Sequence, residues 1–307
     1  MKEYEMDQKQ EWAVEAEDIC FTYEGNDVPA LDHFSLRIAR GSRVAFMGGN
    51  GSGKSTFFLC LNGIRRPDKG RIMIDGKPIS YTRKGLLDVR RKTGIVFQDP
   101  DDQLFSASVY EDMSFGVLNL GMGEAQARQA VEHTAEELGL TALLDRPVHA
   151  LSGGQKKLAA IADILVMGPE IVILDEPAAS LDQMHTDLVR KVIAELSDKG
   201  ITVLTATHDM DYAYEWADVI VVMKAGKVLR RGTPREVCTD RKLLEQAHLK
   251  PPVVLEMYES LKKSGIISAG EEPPGSVEEL KKILTGRNDV RKGISEMERT
   301  PDAEENN

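Results

Sequence analysis

Residues 44–56 read VAFMGGNGSGKST, an apolar run that leads into a turn containing four glycines. Within it, Gly48 to Ser55 fit the pattern G-x-x-x-x-G-K-[ST], which surrounds phosphate oxygens with backbone N–H groups at the start of a helix. That pattern needs a strand before it and a helix after it, and the apolar runs Arg43–Met47 and Ser55–Asn62 predict both. A strand-to-helix turn that needs glycine only for its backbone geometry is the simpler alternative.

This glycine-rich turn is predicted to hold the phosphates of ATP. Lys54 would contact the β- and γ-phosphates, and the Ser55 hydroxyl would be a ligand of Mg²⁺. The residues predicted to bind the nucleotide here are Gly48, Gly49, Asn50, Gly51, Ser52, Gly53, Lys54, Ser55 and Thr56.

A second segment ends in two adjacent acids. Residues 171–176 read IVILDE, an apolar strand followed by carboxylates, where charge is costly unless a metal or a reaction uses it. Asp175 is predicted to hold Mg²⁺ through its water shell, and Glu176 to polarise the water that attacks the γ-phosphate. A strand that simply ends in a solvated acidic turn is the alternative.

Composition limits the partners that the chain can have. Its 307 residues carry a formal charge of −11, which argues against general affinity for nucleic acid. No run of about 18 apolar residues occurs and the start lacks a signal-peptide pattern, so we expect a cytoplasmic chain that reaches a membrane only through partners. Cys20, Cys60 and Cys238 lack a paired spacing, so we expect reduced packing residues rather than disulfide or zinc ligands.

The remaining apolar runs outline an α/β fold. Continuous β-branched runs with a helix between them favour a parallel sheet with crossover connections. Strands are predicted at Val14–Thr22, Phe34–Ile38, Arg43–Met47, Ile171–Leu174 and Ile201–Thr205, and a helix at Glu124–Leu140. After Pro252, apolar residues recur at helical spacing, and Ser276 with Glu279 has the pattern of a capping box. These features predict small appended helices.

Residues 151–155 read LSGGQ, shortly before the strand that ends in Asp175. The string and its position resemble the signature sequence of ABC ATPases. In that family this segment contacts the γ-phosphate of ATP bound by the other protomer, which implies nucleotide contacts for Ser152, Gly153, Gly154 and Gln155. The resemblance therefore implies a head-to-tail dimer of two ATPase protomers, identical or different. A Ser-Gly-Gly turn that only caps a helix is the alternative.

Four other positions match the family one by one. Tyr23 resembles the aromatic residue that stacks on adenine, and Gln98 in GIVFQDP resembles the glutamine that contacts Mg²⁺ and the attacking water. Asp182 ends a stretch, residues 179–182, that resembles the loop between protomers, and His208 resembles the histidine that contacts the γ-phosphate. The alternatives are a half-buried strand tyrosine and a structural histidine that only makes hydrogen bonds.

The resemblance covers about residues 14–235 and implies the architecture. The implied architecture is a P-loop ABC ATPase domain with a mainly parallel sheet, an antiparallel β subdomain and a helical insertion, followed by a small C-terminal helical appendage. The predicted divisions are a leader at 1–13, the ATPase domain at 14–245 with its insertion at about 99–165, the appendage at 246–286 and a polar tail at 287–307. The implied catalytic residues are Glu176, His208 and Gln98, and the implied Mg²⁺ ligands are Ser55, Gln98 and Asp175.

A narrower resemblance lies outside these shared motifs. Residues 81–105 and 108–121 are similar to the ATPases of energy-coupling factor importers, particularly the cobalt and nickel branch. This implies a transmembrane coupling subunit and a substrate-binding membrane subunit as partners at the cytoplasmic face of the membrane. The acids Asp99, Asp101 and Asp102 would lie beside the docking groove, although solvated acids need no partner. The alternative to metal uptake is uptake of a vitamin by an importer of the same architecture.

Two other classes of function match less well. A non-transport ABC ATPase acting on DNA or ribosomes would carry a long coiled coil or a second cassette, whereas 121 positions without a heptad run separate Lys54 from Asp175. A non-hydrolysing structural subunit is disfavoured because all the implied catalytic residues are present. Departures from the family pattern at Leu158, Asp163 and Ala178 remove no catalytic group, and they leave room for weaker activity or a heterodimer.

Overall fold

The computed structural model describes residues 11–268 and 270–285. Ten strands lie within this part of the chain. They are β1 (Trp12–Phe21), β2 (Leu31–Ala39), β3 (Arg43–Met47), β4 (Lys69–Ile74), β5 (Lys77–Pro78), β6 (Thr93–Val96), β7 (Ile171–Asp175), β8 (Thr202–Ala206), β9 (Val219–Lys224) and β10 (Lys227–Gly232).

These strands form two sheets. The larger has the order β10-β9-β3-β8-β7-β6, in which all strands are parallel except β10, which pairs antiparallel with β9. The smaller sheet, β2-β1-β4-β5, is antiparallel. The predicted mainly parallel sheet and antiparallel β subdomain are therefore confirmed. Because parallel strands run the same way, Met47, Val96, Asp175 and Ala206 end their strands at one edge.

Helices connect and cover these strands. They are α1 (Lys54–Leu61), α2 (Arg83–Lys92), α3 (Val109–Asn119), α4 (Glu124–Glu137), α5 (Gly153–Leu165), α6 (Gln183–Asp198), α7 (Met210–Trp216), α8 (Pro234–Cys238), α9 (Arg241–Ala247) and α10 (Val253–Lys263), and residues 277–285 are also helical. The helices α3, α4 and α5 make up the predicted insertion. Across the described ranges, none of the helices has the length and apolarity needed to cross a bilayer.

The larger sheet separates two clusters of buried side chains. Along β3, Val44 and Phe46 pack with the antiparallel sheet and with Phe57 of α1, whereas Ala45 and Met47 pack with the helices on the opposite face. Successive strand residues point to opposite faces, and both faces of this sheet are covered. This explains why its strands are continuous apolar runs rather than alternating ones.

The C-terminal helices pack on the ATPase domain itself. Val254 and Tyr258 of α10, together with Leu280, belong to the same buried cluster as the helical face of the larger sheet. The Tyr214 hydroxyl of α7 donates a hydrogen bond to the Pro274 carbonyl oxygen at 3.0 Å. Packing therefore continues across the predicted division at residue 246.

Element boundaries predicted from sequence agree with the structure to within three residues. The largest differences are three residues: β2 begins at Leu31 rather than Phe34, and α4 ends at Glu137 rather than Leu140. The predicted leader, 1–13, overlaps β1, which starts at Trp12, and residues 1–10 lie outside the described residues. The predicted polar tail, 287–307, also lies outside them.

The predicted capping box at Ser276 is only half formed. Its hydroxyl accepts a hydrogen bond from the Glu279 N–H at 3.2 Å, as expected of an N-cap. The Glu279 carboxylate accepts from the Gly275 N–H at 2.5 Å rather than from Ser276. The side chain therefore reaches one residue beyond the position that the reciprocal pattern requires.

Candidate functional site

A cleft of about 420 Å³ lies at the edge where β3, β6, β7 and β8 end. Open parallel sheets bind ligands at the carboxyl ends of their strands. The residues that line the cleft are Asn50, Gly51, Ser52, Gly53, Lys54, Ser55, Thr56, Gln98, Asp175, Glu176, Ala179 and His208. The topology thus brings the glycine-rich turn together with the other predicted residues that follow these strands.

The turn depends on glycine at two positions in particular. Gly48 has a φ of 147°, and a Cβ there would lie 2.3 Å from the Met223 carbonyl oxygen. Gly53 has a φ of 104°, and a Cβ there would lie 2.6 Å from the Ala30 carbonyl oxygen. Side chains rarely tolerate such φ values, and a backbone oxygen cannot swing aside as a side chain can. The glycines therefore allow the close packing that sets the N-terminus of α1 in the cleft.

Lys54, the first residue of α1, is buried in this turn, with 7% of its surface exposed. Its Nζ donates hydrogen bonds to the carbonyl oxygens of Gly48 at 2.7 Å and Gly49 at 3.3 Å. Burial lowers the pKa of Lys54, and the Glu176 and Asp175 carboxylates oppose that shift. Charge-assisted hydrogen bonds to phosphate are stronger than those to a neutral carbonyl. An anion in the cleft would therefore be a better partner for Lys54 than its own turn.

Glu176 combines an unusual backbone with a partly buried carboxyl group. Its φ is 46°, uncommon for a residue other than glycine, and its N–H donates to the Ala206 carbonyl oxygen at 3.0 Å. Burial raises the pKa of the Glu176 carboxyl, and His208 and Lys54 oppose that shift. Nε2 of His208 lies 3.1 Å from Oε1 of Glu176, within ion-pair distance, but the orientation does not make a hydrogen bond. An acceptor oxygen with no hydrogen-bond partner among the described residues, in a carboxyl whose pKa is raised by burial, is a feature of functional carboxyl groups.

Three oxygen-bearing side chains of the cleft fit a magnesium ion. Asp175 ends β7 and is 8% exposed, Ser55 lies in the first turn of α1, and Gln98 follows β6. Carboxylate, hydroxyl and amide oxygens are the hard ligands that Mg²⁺ takes, usually alongside water and substrate phosphates. The chemistry of these side chains therefore fits Mg²⁺, and their role as its ligands stays a prediction.

The predicted signature segment lies outside this cleft. The Ser152 hydroxyl accepts from the Gln155 N–H at 3.3 Å, and Oε1 of Gln155 accepts from the Ser152 N–H at 3.0 Å, a reciprocal capping box at the start of α5. Ser152 and Gly153 are exposed, and Gly153 lines a second cleft of about 290 Å³ together with Gln98. Gly154 packs so closely on His185 that a Cβ would lie 2.0 Å from the imidazole. The chain therefore does not bring Ser152 to Gln155 into its own phosphate site.

One buried lysine joins the two regions. Lys157 of α5 is 1% exposed, and its Nζ donates to the carbonyl oxygens of Gln98 at 2.6 Å and Phe97 at 3.1 Å. Burial lowers the pKa of Lys157 to about 8. Reasoning from the sequence missed this residue. The available signal is its position three residues after Gly154 and four before Ile161, within the buried stripe of the helix.

Comparison with known proteins identifies the family. A family model described as ABC transporter matches residues 31–179. The energy-coupling factor transporter ATP-binding protein EcfA of Methanocaldococcus jannaschii is 42% identical over 252 residues, which cover 82% of this chain and 90% of that protein. This chain belongs to the ABC transporter ATP-binding proteins. The predicted ABC ATPase fold and ATP-hydrolysing subunit are thereby confirmed at the level of the family.

Solved structures of ABC ATPases agree with this assignment. The structure of cbiO1 from Clostridium perfringens, described as part of the ABC transporter complex cbiONQ, is 42% identical with a TM-score of 0.68 and covers 83% of this chain and 100% of that chain. The ATP-binding cassette MJ0796, in a dimeric post-hydrolysis state bound to ADP and Pi, is 26% identical with a TM-score of 0.66 and covers 72% and 98%. The chain spans between 60% and 97% of the length of the curated relatives compared with it, so some of them are longer proteins.

Tyr23 and Asp182, which are also predicted to bind nucleotide in this ABC ATPase, do not line the cleft, and neither do Gly48 and Gly49 of the glycine-rich turn. The Tyr23 hydroxyl is 3.2 Å from Oγ1 of Thr56, and its ring packs edge-on against Phe21. Asp182 caps α6 and accepts from the His185 N–H at 2.9 Å. Tyr23 is thus linked to the glycine-rich turn, and Asp182 has a local capping role. Contacts of both residues with nucleotide stay predictions.

Proposed function

We propose that this chain is the ATP-hydrolysing subunit of an energy-coupling factor importer that energises uptake of a transition metal ion, cobalt or nickel. The observation that supports hydrolysis best is the partly buried Glu176 carboxyl, which lines the same cleft as the glycine-rich turn and has an acceptor oxygen without a hydrogen-bond partner among the described residues. The names of EcfA and of the cbiONQ complex support the importer class. The preference for metal uptake over vitamin uptake rests on the resemblance of residues 81–105 and 108–121 to ATPases of the cobalt and nickel branch.

The cleft would bind ATP through its phosphates and activate a water molecule. Lys54 and the N–H groups at the start of α1 bind the β- and γ-phosphate oxygens. Ser55, Gln98 and Asp175 would hold Mg²⁺, which when bound would offset the charge of the phosphates. Glu176 takes a proton from the water. At the same time the water oxygen bonds to the γ-phosphorus, and the bond from that phosphorus to the β–γ bridging oxygen breaks. A carboxyl whose pKa is raised by burial is a more effective base near neutral pH.

The same proposal includes a dimer of ATPase protomers. The N-terminus of α5 is exposed at Ser152 and Gly153 and lies outside the phosphate cleft of its own chain. A helix N-terminus favours anions, so a head-to-tail partner would supply this segment to the γ-phosphate. The dimeric cassette bound to ADP and Pi supports this arrangement. Either an identical or a different ATPase chain could be the partner.

We propose that a transmembrane coupling subunit docks beside Gln98, with a substrate-binding membrane subunit completing the importer. Two exposed rings, Phe105 and Phe115, contact each other edge-to-face with centroids 4.9 Å apart. The acids at positions 99, 101 and 102 border this patch in sequence, and Asp101 pairs with Lys156 at 2.6 Å. An apolar patch with a charged rim suits a helix from another protein. The chain would then be held peripherally at the cytoplasmic face of the membrane.

Solute uptake by the reconstituted importer tests this proposal. The chain is co-purified with its membrane partners in proteoliposomes, and uptake of radiolabelled cobalt, nickel and vitamins is measured with ATP on the side of the ATPase. We expect ATP-dependent uptake of a metal ion that is lost in Glu176→Gln. Uptake of a vitamin alone would contradict metal specificity, and ATP hydrolysis without uptake of any of these solutes would contradict the importer class.

A further inference from the structure

Three register shifts occur between β1 and β2, and the two nearest the end of β1 are compensating β-bulges, one in β1 and one in β2. At the second of them, residues 19–21 of β1 pair with residues 31–34 of β2, so β2 has one extra residue. In such a bulge two residues oppose one on the partner strand. Asp32 and His33 therefore both lie opposite Cys20, and all three are less buried than the apolar residues that flank them.

These three side chains bring different ligand types together. One ligand atom from each of Cys20, Asp32 and His33 lies within 4.8 Å of the other two. Thiolate, imidazole and carboxylate are the ligands of zinc and similar transition metals, whereas Mg²⁺ and Ca²⁺ take oxygen ligands. Bonds of about 2.0–2.3 Å to a shared ion would bring such atoms to about 3.5 Å from one another. Metal binding would therefore bring each pair of these atoms closer by up to about 1.3 Å.

His33 is already held as a metal-binding histidine usually is. Its Nδ1 lies 2.7 Å from Oδ1 of Asp18, while its Nε2 is 3.9 Å from Oδ1 of Asp32. Metal-binding histidines almost always donate their other ring N–H to a carboxylate or a similar acceptor, which fixes the ring. Asp18 and His33 have φ values of 50° and 51°, uncommon for residues other than glycine. The two bulges thus place the orienting acid beside the imidazole.

Asp32 is shared between this cluster and a lysine. Its Oδ2 lies 2.9 Å from Nζ of Lys227, and that hydrogen bond lowers the pKa of the Asp32 carboxyl. The carboxylate is therefore ionised, with its other oxygen nearest to the imidazole of His33. The positive charge of Lys227 disfavours binding of a metal cation. The negative charges of the Asp32 carboxylate and of the Cys20 thiolate formed on binding counter this repulsion.

We propose that Cys20, Asp32 and His33 form a binding site for one divalent transition-metal ion of the Zn²⁺ or Co²⁺ type, with water completing the coordination. Binding releases the thiol proton of Cys20 to solvent as the metal–sulfur bond forms. The site is separate from the nucleotide cleft, because none of the three lines it. This differs from the expectation from cysteine spacing, since the bulge, not a sequence motif, brings the ligands together.

Cobalt spectroscopy tests the site on the full chain. The metal-free protein is titrated with Co²⁺, and we expect one equivalent to produce thiolate-to-metal charge-transfer absorption. Burial raises the pKa of the Cys60 and Cys238 thiols to about 12, so the band reports Cys20. Cys20→Ser should abolish the band. The control His133→Gln, an exposed histidine on α4, should keep it. Absence of the band in the unaltered protein, or its survival in Cys20→Ser, overturns the proposal.

Affinity measurements separate the ligand from its orienting acid. Zn²⁺ should displace Co²⁺ stoichiometrically, whereas a large excess of Mg²⁺ should leave the band unchanged. Asp18→Asn should keep the band and weaken Co²⁺ binding about 10–100-fold, the usual effect of losing an orienting partner. His33→Asn, which tolerates a positive φ, should weaken binding further. Wild-type affinity in both variants, or displacement of Co²⁺ by Mg²⁺, overturns the assignment.

Discussion

The phosphate cleft and the start of α5 reach their positions in different ways. Groups in the cleft are far apart along the chain and meet because four parallel strands end at one edge of a sheet. The segment at α5 is a single helical turn whose geometry is set locally by the capping box of Ser152 and Gln155. The cleft brings together, from one chain, the residues proposed to bind phosphate and Mg²⁺ and to act as the base, whereas the exposed start of α5 lines a separate cleft. Changes in the cleft should therefore act on each chain, and changes at Ser152 only on the dimer.

Glu176→Gln should give the largest effect on the side of the cleft. The amide keeps the shape of the side chain but cannot take a proton, and loss of a general base typically lowers the rate about 10²–10⁴-fold. ATP should still bind because Lys54, Ser55 and Asp175 are unchanged. Since the bound ATP is not hydrolysed, it should hold two protomers together, and the dimer should accumulate. Single-turnover hydrolysis and size-exclusion chromatography with ATP and Mg²⁺ measure both results. Glu215→Gln, the same change at an exposed position of α7, is the control.

The second prediction isolates the signature segment by adding Ser152→Phe to the Glu176→Gln chain. A bulky residue at the exposed N-terminus of α5 should prevent the ATP-trapped dimer while leaving ATP binding to the monomer within about twofold, since Ser152 does not line the cleft. Ser152→Ala is the matched control, because it removes the hydroxyl and its cap, worth about 1 kcal/mol, without adding bulk at the interface. Size-exclusion chromatography compares the three chains. A trapped dimer that is indifferent to Ser152→Phe would contradict the shared site.

Sequence patterns predicted the cleft well because each of its parts is a local signal. Lys54 and Glu176 could be assigned from a glycine pattern and from acids at the end of an apolar strand. The pattern could not show that Lys157 is buried against two carbonyl oxygens, because a lysine in a helix is normally exposed. The contact of Cys20 with His33 depends on a bulge of one residue. A bulge changes which residues lie on the same face of the sheet, and the amino-acid composition of the strand does not reveal it.

The third prediction concerns the surface between the two regions, where Asp101 and Asp102 are exposed. Reversing both to lysine should weaken capture of the coupling subunit on the order of tenfold at low salt, because a complementary partner would lose its electrostatic attraction. Asp99 is kept, since it caps the turn by accepting from the Asp101 N–H. ATP affinity should be unchanged.

The same charge change at Glu132 and Glu136 on the exposed face of α4 is the control for this surface. Capture of purified membrane subunits is measured over a range of salt concentrations, because screening should reduce the difference between the two double variants. Equal capture by the two variants at every salt concentration would mean that the acids are only a solvated face.

The smallest expected effect concerns Lys157, the side chain that joins α5 to the Gln98 segment. Burial lowers its pKa to about 8 from the ordinary 10.5, so between these values the unfolded chain binds a proton that the folded chain does not. Stability contributed by this residue therefore rises with pH in that window, by at most about 1.4 kcal/mol per pH unit. A neutral amine still has N–H groups for both carbonyl oxygens, so the contact itself survives deprotonation.

Lys157→Met removes that titration together with the hydrogen bonds. We expect the free energy of unfolding of the unaltered chain to increase relative to that of the variant as the pH rises from about 8 to 10.5. The reason is that only the unaltered chain has Lys157, which is neutral when folded and still charged when unfolded in this range. Urea denaturation at several pH values measures the difference, in which the other titrating groups cancel. The exposed Lys191→Met of α6 should show no such trend. A difference for Lys157→Met that is constant with pH would mean that this lysine is not titrating in the folded protein, and the two regions would then be joined by an ordinary ammonium held by its carbonyl partners.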